Sequence, residues 1–474
     1  MTARTARGVP RVQEISASAS MMRTLAGRWP DKYPALLESV AAGERARFSI
    51  LFGTPSAALW RTPADGVFHD GEPLGSATFF GTLQRLSSAM PRSASATTPD
   101  GTRLPFCGGW LVLLGYELAN EVEPVLTLPR SRLPFDALAL QISIAVIWDH
   151  RSQRLYAVAA AERHDLIDGL CEDILTCQSS LQAGRLQPDF SADATQTFAI
   201  HEEPPQLFLE RVARAKDYIA AGDVYQANLS RAWRSRQPRG VSIVELYERL
   251  CASNPAPFAA LVQWQGVAIV SSSPERLLQL DGREISTRPI AGTRRRAEGA
   301  DSQDDAADRE ALVAHPKERA EHIMLIDLER NDLGRVCEAG SVTVDELMVI
   351  ESYAHVHHIV SNVRGRLRAD VTPIDALLAV FPGGTITGCP KIRCMQIIAA
   401  LEQEGRGFYT GSLGYLSADG QADFNILIRT LTIHADEIEL RAGAGIVADS
   451  IPEQELAETR AKAHGLLLAL EHVS

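Results

Sequence analysis

The chain has 474 residues, 45% hydrophobic and 22% charged, and 59 Asp+Glu against 47 Lys+Arg give a net charge of −12. That is the composition of a folded globular protein, and its acidity argues against a nucleic-acid partner, which needs clustered Lys and Arg to displace counterions. Seven cysteines without a Cys-x-x-Cys pair argue against zinc and against a disulfide framework and fit a reducing, cytoplasmic setting; no apolar run is long enough to span a membrane, and the Arg-bearing N-terminus lacks a signal-peptide core.

In chain order, short apolar runs read as strands: Phe48 to Phe52, Gly108 to Gly115 and Leu140 to Trp148, with a helix from about Asp165 to Leu181. Between Gln187 and Pro205 the composition turns to Asp, Ser, Thr, Glu and Pro without periodicity, which marks a linker. The division is therefore 1–186, a linker at 187–205, and 206–474. Beyond it, Phe208, Val212, Ala215 and Ile219 repeat at helical spacing, strands are predicted at Ala268–Ser272 and Glu284–Thr287, and an acidic loop, Arg295 to Asp308, precedes a helix over about Lys317 to Asn331. A Gly-rich turn at Pro382–Pro390, a helix from Lys391, an alternating strand Asn425–Ile433 and a final helix from Pro452 complete the pattern.

Several segments carry side chains suited to chemistry. Glu318-Arg-Ala-Glu321 and Glu455-Leu-Ala-Glu458 each put two carboxylates on one face near a helix start. Such residues favour helix N-termini through the dipole alone; pointing inward together, they suit an oxygen-liganded ion such as Mg²⁺. Alternation places Arg429 on an apolar strand face, where an internal carboxylate or a ligand's carboxylate must pair it. Gly383-Gly-Thr-Ile-Thr-Gly-Cys389 lacks the Lys of a phosphate loop, and Gly443-Ala-Gly445 is a weak dinucleotide match, so both read as turns that admit a small anion. His355, His357 and His358 cluster in a strand and could bind a metal or move a proton. Glu275, in Ser272-Ser-Pro-Glu-Arg276, follows a strand, where a proton-transfer group can face a pocket; the same motif is also a common turn.

Taken in order, Gly222-Asp-Val-Tyr-Gln-Ala-Asn-Leu229, Ser272–Arg276, Thr287-Arg-Pro-Ile-Ala-Gly-Thr293, Asp327–Arg335, Phe381–Lys391 and Gly443–Thr459 resemble the chorismate-utilising enzymes. Within that family they look like the synthase subunits of aminodeoxychorismate and anthranilate synthases. The resemblance implies an α+β fold of two large, mainly antiparallel sheets packed as a sandwich with helices outside, the N-terminal part intertwined with the catalytic region in one body. It implies a Mg²⁺ site on Glu321 and Glu458 with Glu318 and Glu455 beside them. Chorismate would be held by Arg429, Tyr415, Thr293, Thr385, Gly443, Gly445 and Lys462. Glu275 would protonate the leaving 4-hydroxyl, with His358 beside the ring. Leu37, Glu38 and Ser39 would line a pocket for tryptophan.

Relatives that add water carry a Lys base where this chain has Gln226; a neutral amide cannot deprotonate water and ammonia needs no such base, so the resemblance favours the two ammonia-using branches. The chain has no glutamine-amidotransferase nucleophile elbow, so a separate glutaminase subunit is expected to supply that ammonia. Ala291 stands where the aminodeoxychorismate branch usually has a Lys and is the anthranilate-type residue. Asn254-Pro-Ala-Pro-Phe258, Phe381–Gly388, Val356–Ser361 and Asp423-Phe-Asn-Ile-Leu427 look more like the aminodeoxychorismate branch, which feeds p-aminobenzoate and folate. That branch is the expectation, with anthranilate synthase as the alternative.

Overall fold

A computed structural model describes residues 8–41, 47–182, 198–238, 240–295, 316–352 and 356–471. Fourteen strands make its principal ladder: β1 (Ala35–Glu38), β2 (Phe48–Thr62), β3 (Gly109–Leu114), β4 (Ala137–Asp149), β5 (Gln226–Arg236), β6 (Phe258–Trp264), β7 (Val267–Ser273), β8 (Arg276–Asp281), β9 (Glu284–Arg288), β10 (Val356–Arg366), β11 (Ser412–Ser417), β12 (Ala422–Ile426), β13 (Thr430–His434) and β14 (Glu437–Ile446). They pair antiparallel in the order β5-β14-β13-β7-β6-β1-β2-β4-β3-β11-β12-β8-β9-β10. Ile290–Arg295 and Thr343–Ser352 flank β10.

The two layers are halves of one sheet. The ladder passes unbroken from one to the other through β2 and β4, 15 and 13 residues long, and curls so that the halves face each other. Between them lies an apolar core to which β2, β4, β6 and β7 contribute Phe52, Leu140, Ala260 and Ile269, and β3 and β11 contribute Leu111 and Leu413. Strands buried on both faces need continuous apolar runs rather than alternation, which is how the β4 sequence reads.

Helices cover the outer faces. α1 (Ser20–Arg28), α3 (Leu166–Gln182), α4 (Ile243–Ser253) and α8 (Pro452–Leu470) lie over one half, and α2 (Phe79–Ala89), α5 (Pro316–Gly334) and α6 (Pro373–Val380) over the other. Their buried residues, such as Leu246, Tyr247 and Leu250 on α4 or Ala463, Leu466 and Leu470 on α8, recur at three and four. α7 (Lys391–Glu402) packs against β5. Residues 187–197 of the expected linker lie outside the described residues, whereas His201–Glu202 at its far end pairs with Arg234 and Trp233 of β5.

The predicted strand Asn425–Ile433 is two strands. β12 ends at Ile426, β13 begins at Thr430, and Arg429 between them has φ 52°, so alternation does not carry through it. The chain there leaves one half of the sheet for the other, and a strand cannot continue across that step.

Candidate functional site

Two such crossings stand side by side. Ser273-Pro-Glu275 joins β7 in one half to β8 in the other, and Leu427-Ile-Arg429 joins β12 to β13 in the reverse sense. They are tied by backbone hydrogen bonds: Ile426 N–H donates to Glu275 O at 3.0 Å, and Ser272 N–H donates to Arg429 O at 3.0 Å. Glu275 is 4% exposed, and its Oε1 accepts from Ile290 N–H at 3.5 Å. Burial pushes its carboxyl up to about 7, opposed by the Thr385 hydroxyl, the Ile290 amide and the Lys462 ammonium. Burial lowers Arg429 from its usual value, and Tyr409 and Glu458 pull the other way. No ion pair to Arg429 forms among the described residues, so its charge is available to a ligand.

The glycine end of β14 forms the next wall. A side chain on Gly443 would meet Leu229 O at 2.7 Å, Asn228 Oδ1 at 2.8 Å and Tyr409 Oη at 2.9 Å, and one on Gly445 would collide with Gln226 Nε2. The absence of Cβ is what lets these groups close over the strand. Lys462 Nζ donates to Gly443 O at 3.1 Å and pairs with Glu458 at 2.6 Å, one turn back on α8. Gln226 Nε2 donates to Glu321 Oε1 of α5 at 3.2 Å, while its own Oε1 is buried without a hydrogen-bond partner, as is Asn228 Oδ1. Asn228 Nδ2 reaches Thr385 O at 3.3 Å. The turn Gly384–Ile386 that carries Thr385 needs its glycine, since a Cβ on Gly384 would press on the Leu328 side chain of α5.

Glu275, Arg429, Thr385, Gly443, Gly445, Gln226, Lys462, Glu321 and Glu458 thus come from seven segments to one region. Tyr415 does not join them. It sits in β11 within the inter-layer core and lines a separate cavity of about 310 Å³ with Leu37, Glu38, Ser39, Arg276 and Asp423. Tyr409, just before β11, takes the place beside Arg429 and Gly443. Sequence reasoning missed Tyr409, Asn228 and the buried His322, whose Nε2 lies 2.7 Å from Ser361 Oγ and whose pKa burial lowers to about 4. The side chains of Ala291, Thr293, Glu318, His357 and His358, and all of His355, lie outside the described residues. The His358 backbone pairs with Thr293 and Glu351.

For a metal, the donor chemistry fits: Glu321 on α5 and Glu458 on α8 are carboxylates that approach the same glycine end from two helices, and Glu455 is buried on the first turn of α8. No group of three or more ligating side chains is drawn together among the described residues. In the N-terminal cavity, Glu38 accepts from Arg23 and from Tyr247, each at 2.9 Å, and Ser39 Oγ donates to Pro257 O at 3.2 Å. Among the described residues, no helix is long and apolar enough to cross a membrane.

Residues 34–468 match the family of chorismate binding enzymes. The chain is 44% identical over 370 residues to an anthranilate synthase component I-like protein of Synechocystis, covering 78% of this chain and 74% of that one. It is 36% identical over 459 residues to aminodeoxychorismate synthase component 1 of Bacillus subtilis, with 93% and 92% covered; several further relatives bear the name anthranilate synthase component 1. The crystal structure of anthranilate synthase component I from Streptococcus pneumoniae superposes with a TM-score of 0.76 at 30% identity, covering 90% of this chain and 93% of that one. A buried acid, a ligand-ready arginine and a glycine-lined sheet end, together with these matches, identify the chain as a member of the chorismate-binding enzyme family, of the anthranilate and aminodeoxychorismate synthase component I type.

Proposed function

We propose that the chain aminates chorismate at C4, giving 4-amino-4-deoxychorismate, with ammonia delivered by a separate glutamine amidotransferase subunit. The observation that carries this reading is the pairing of a buried, protonatable Glu275 with a neutral Gln226 whose amide nitrogen is already given to Glu321. Hydroxide is a poor leaving group; protonated by Glu275 as the C4–O bond breaks, it departs as water. Gln226 has no basic atom with which to activate water, whereas ammonia carries its own lone pair and needs none. Arg429, with Tyr409 beside it, binds a chorismate carboxylate through its two-pronged guanidinium. Lys462 fixes the strand end at Gly443 and balances Glu458. Mg²⁺, held by Glu321 and Glu458 with Glu318 and Glu455 beside them, would anchor the other carboxylate and draw charge from the ring.

Production of anthranilate is the second reading, and Ala291, the residue typical of that branch, favours it. Incubating the chain with chorismate, Mg²⁺ and ammonium, with and without an aminodeoxychorismate lyase, separates the two. p-Aminobenzoate that forms only with the lyase supports 4-amination. Fluorescent anthranilate and pyruvate formed without it overturn 4-amination in favour of the second reading.

A further inference from the structure

Beneath the chorismate pocket lies an ion pair that touches none of the reacting groups. Glu402, at the end of α7, and Arg406, four residues on, are 2% and 3% exposed. Arg406 gives Nε and Nη2 to the two carboxylate oxygens at 3.0 and 2.7 Å. Its remaining hydrogens go outward: Nη2 to Asn228 O at 2.7 Å, Nη1 to Ile386 O at 3.2 Å and to Thr410 Oγ1 at 3.3 Å. Its guanidinium lies 4.8 Å from the Tyr116 ring centre and 5.7 Å from that of Tyr409. Glu402 Oε1 also accepts Ser230 N–H at 2.7 Å and the Ser230 hydroxyl at 3.0 Å, and Arg441 approaches Oε2 at 3.5 Å.

Each outward bond ends next to a wall of the pocket. Ile386 follows Thr385 and Thr410 follows Tyr409. Asn228 faces Gly445 across the β5–β14 ladder, and Ser230 faces Gly443. An isolated pair buried this deeply is weak evidence for stability, because desolvation offsets its attraction. Its geometry has another use: a planar fork with fixed donor directions holds several acceptors in set positions. We propose that Glu402 and Arg406 are positioning residues, a buried clasp that sets Thr385, Tyr409, Gly443 and Gly445 at the spacing chorismate requires. Glu275 lies outside the clasp, since it hangs from Ile290 and Ile426.

The clasp therefore acts chiefly on substrate binding: it holds no atom of Glu275 and reaches the acid only at one remove, through Thr385. This rests on the chorismate reading, and the test separates the two. Arg406→Lys keeps the charge opposite Glu402 but loses the fork; Thr410→Val removes one arm and no charge. For Arg406→Lys, the Kd and KM for chorismate rise about tenfold or more while kcat stays within about threefold, the pattern of lost uniform binding. Thr410→Val gives a smaller rise, about two- to fivefold, in the same direction, and it alone carries the test if Arg406→Lys does not fold. A purely structural role would lower the melting temperature and leave Kd untouched; that result, or a fall in kcat at constant KM, overturns the clasp. A parent chain that neither binds nor consumes chorismate overturns the functional reading itself.

Discussion

Glu275 can act as an acid only while it holds a proton, and burial lets it do so near neutrality. The protonated form is the active one, so kcat should fall as pH rises through about 7, and a pH–rate profile flat across that range would refute the role. Glu275→Gln should abolish turnover and leave chorismate binding, measured by titration, within about threefold. The same shift has a consequence for stability. A carboxyl held above its unfolded value favours the fold below about pH 4.5, and that contribution is lost as pH rises through about 7. Glu275→Gln should therefore raise the melting temperature at pH 8 more than at pH 5. That Glu275 sits just after a strand was legible in the sequence, while its role as an acid came only from the family resemblance; the place of Tyr409 beside Arg429 was not legible. Tyr409 and Tyr415 lie in one short segment, and only the register of β11 decides that Tyr415 points into the inter-layer core. Glu402 and Arg406 drew no reading from the sequence, because nothing in a Glu and an Arg four residues apart marks the burial around them.

At the scale of elements, the site depends on where strands stop and helices start. Arg429 was read within a strand because Leu427, Leu431 and Ile433 alternate regardless of the break; a left-handed residue at 429 leaves no mark in a hydrophobic pattern. β14 closes against β5 because Gly443 and Gly445 have no side chains. Gly445→Ala should push Gln226 away from Glu321, costing about 1–3 kcal/mol in a denaturation measurement and raising KM for the nucleophile. Glu321 of α5 and Glu458 of α8, both in the second turns of their helices, approach the glycine end of β14, and their pattern was visible as two Glu-x-x-Glu spacings. If they hold Mg²⁺, chelation by EDTA should stop chorismate consumption and added Mg²⁺ should restore it; Glu321→Gln should raise the Mg²⁺ concentration needed for half-maximal rate.

Across the whole molecule, the α+β class with helices outside was implied by the family resemblance and allowed by the mixed helix and strand periods, but the continuity of the sheet was not legible. It rests on pairings such as β1 with β6 and β3 with β11, which join residues more than two hundred positions apart and leave no local trace. Residues 1–182 expressed alone should accordingly show no cooperative unfolding transition in calorimetry, because the partners of β1 and β3 would be missing and two sheet edges would stand open.

The same folding-over gives Glu275 and Arg276 opposite outlooks. The first faces the proposed chorismate site; the second lines the 310 Å³ cavity, gripped by both oxygens of Asp423 at 2.8 and 3.0 Å with the Phe258 ring 5.1 Å away. Ile290 is shared as well, its side lining the cavity and its amide pointing at the Glu275 carboxyl. The two chambers are adjoining rooms with a party wall one peptide unit thick. A ligand in the cavity would touch Arg276, the neighbour of Glu275, and Ile290, whose amide is bonded to the Glu275 carboxyl.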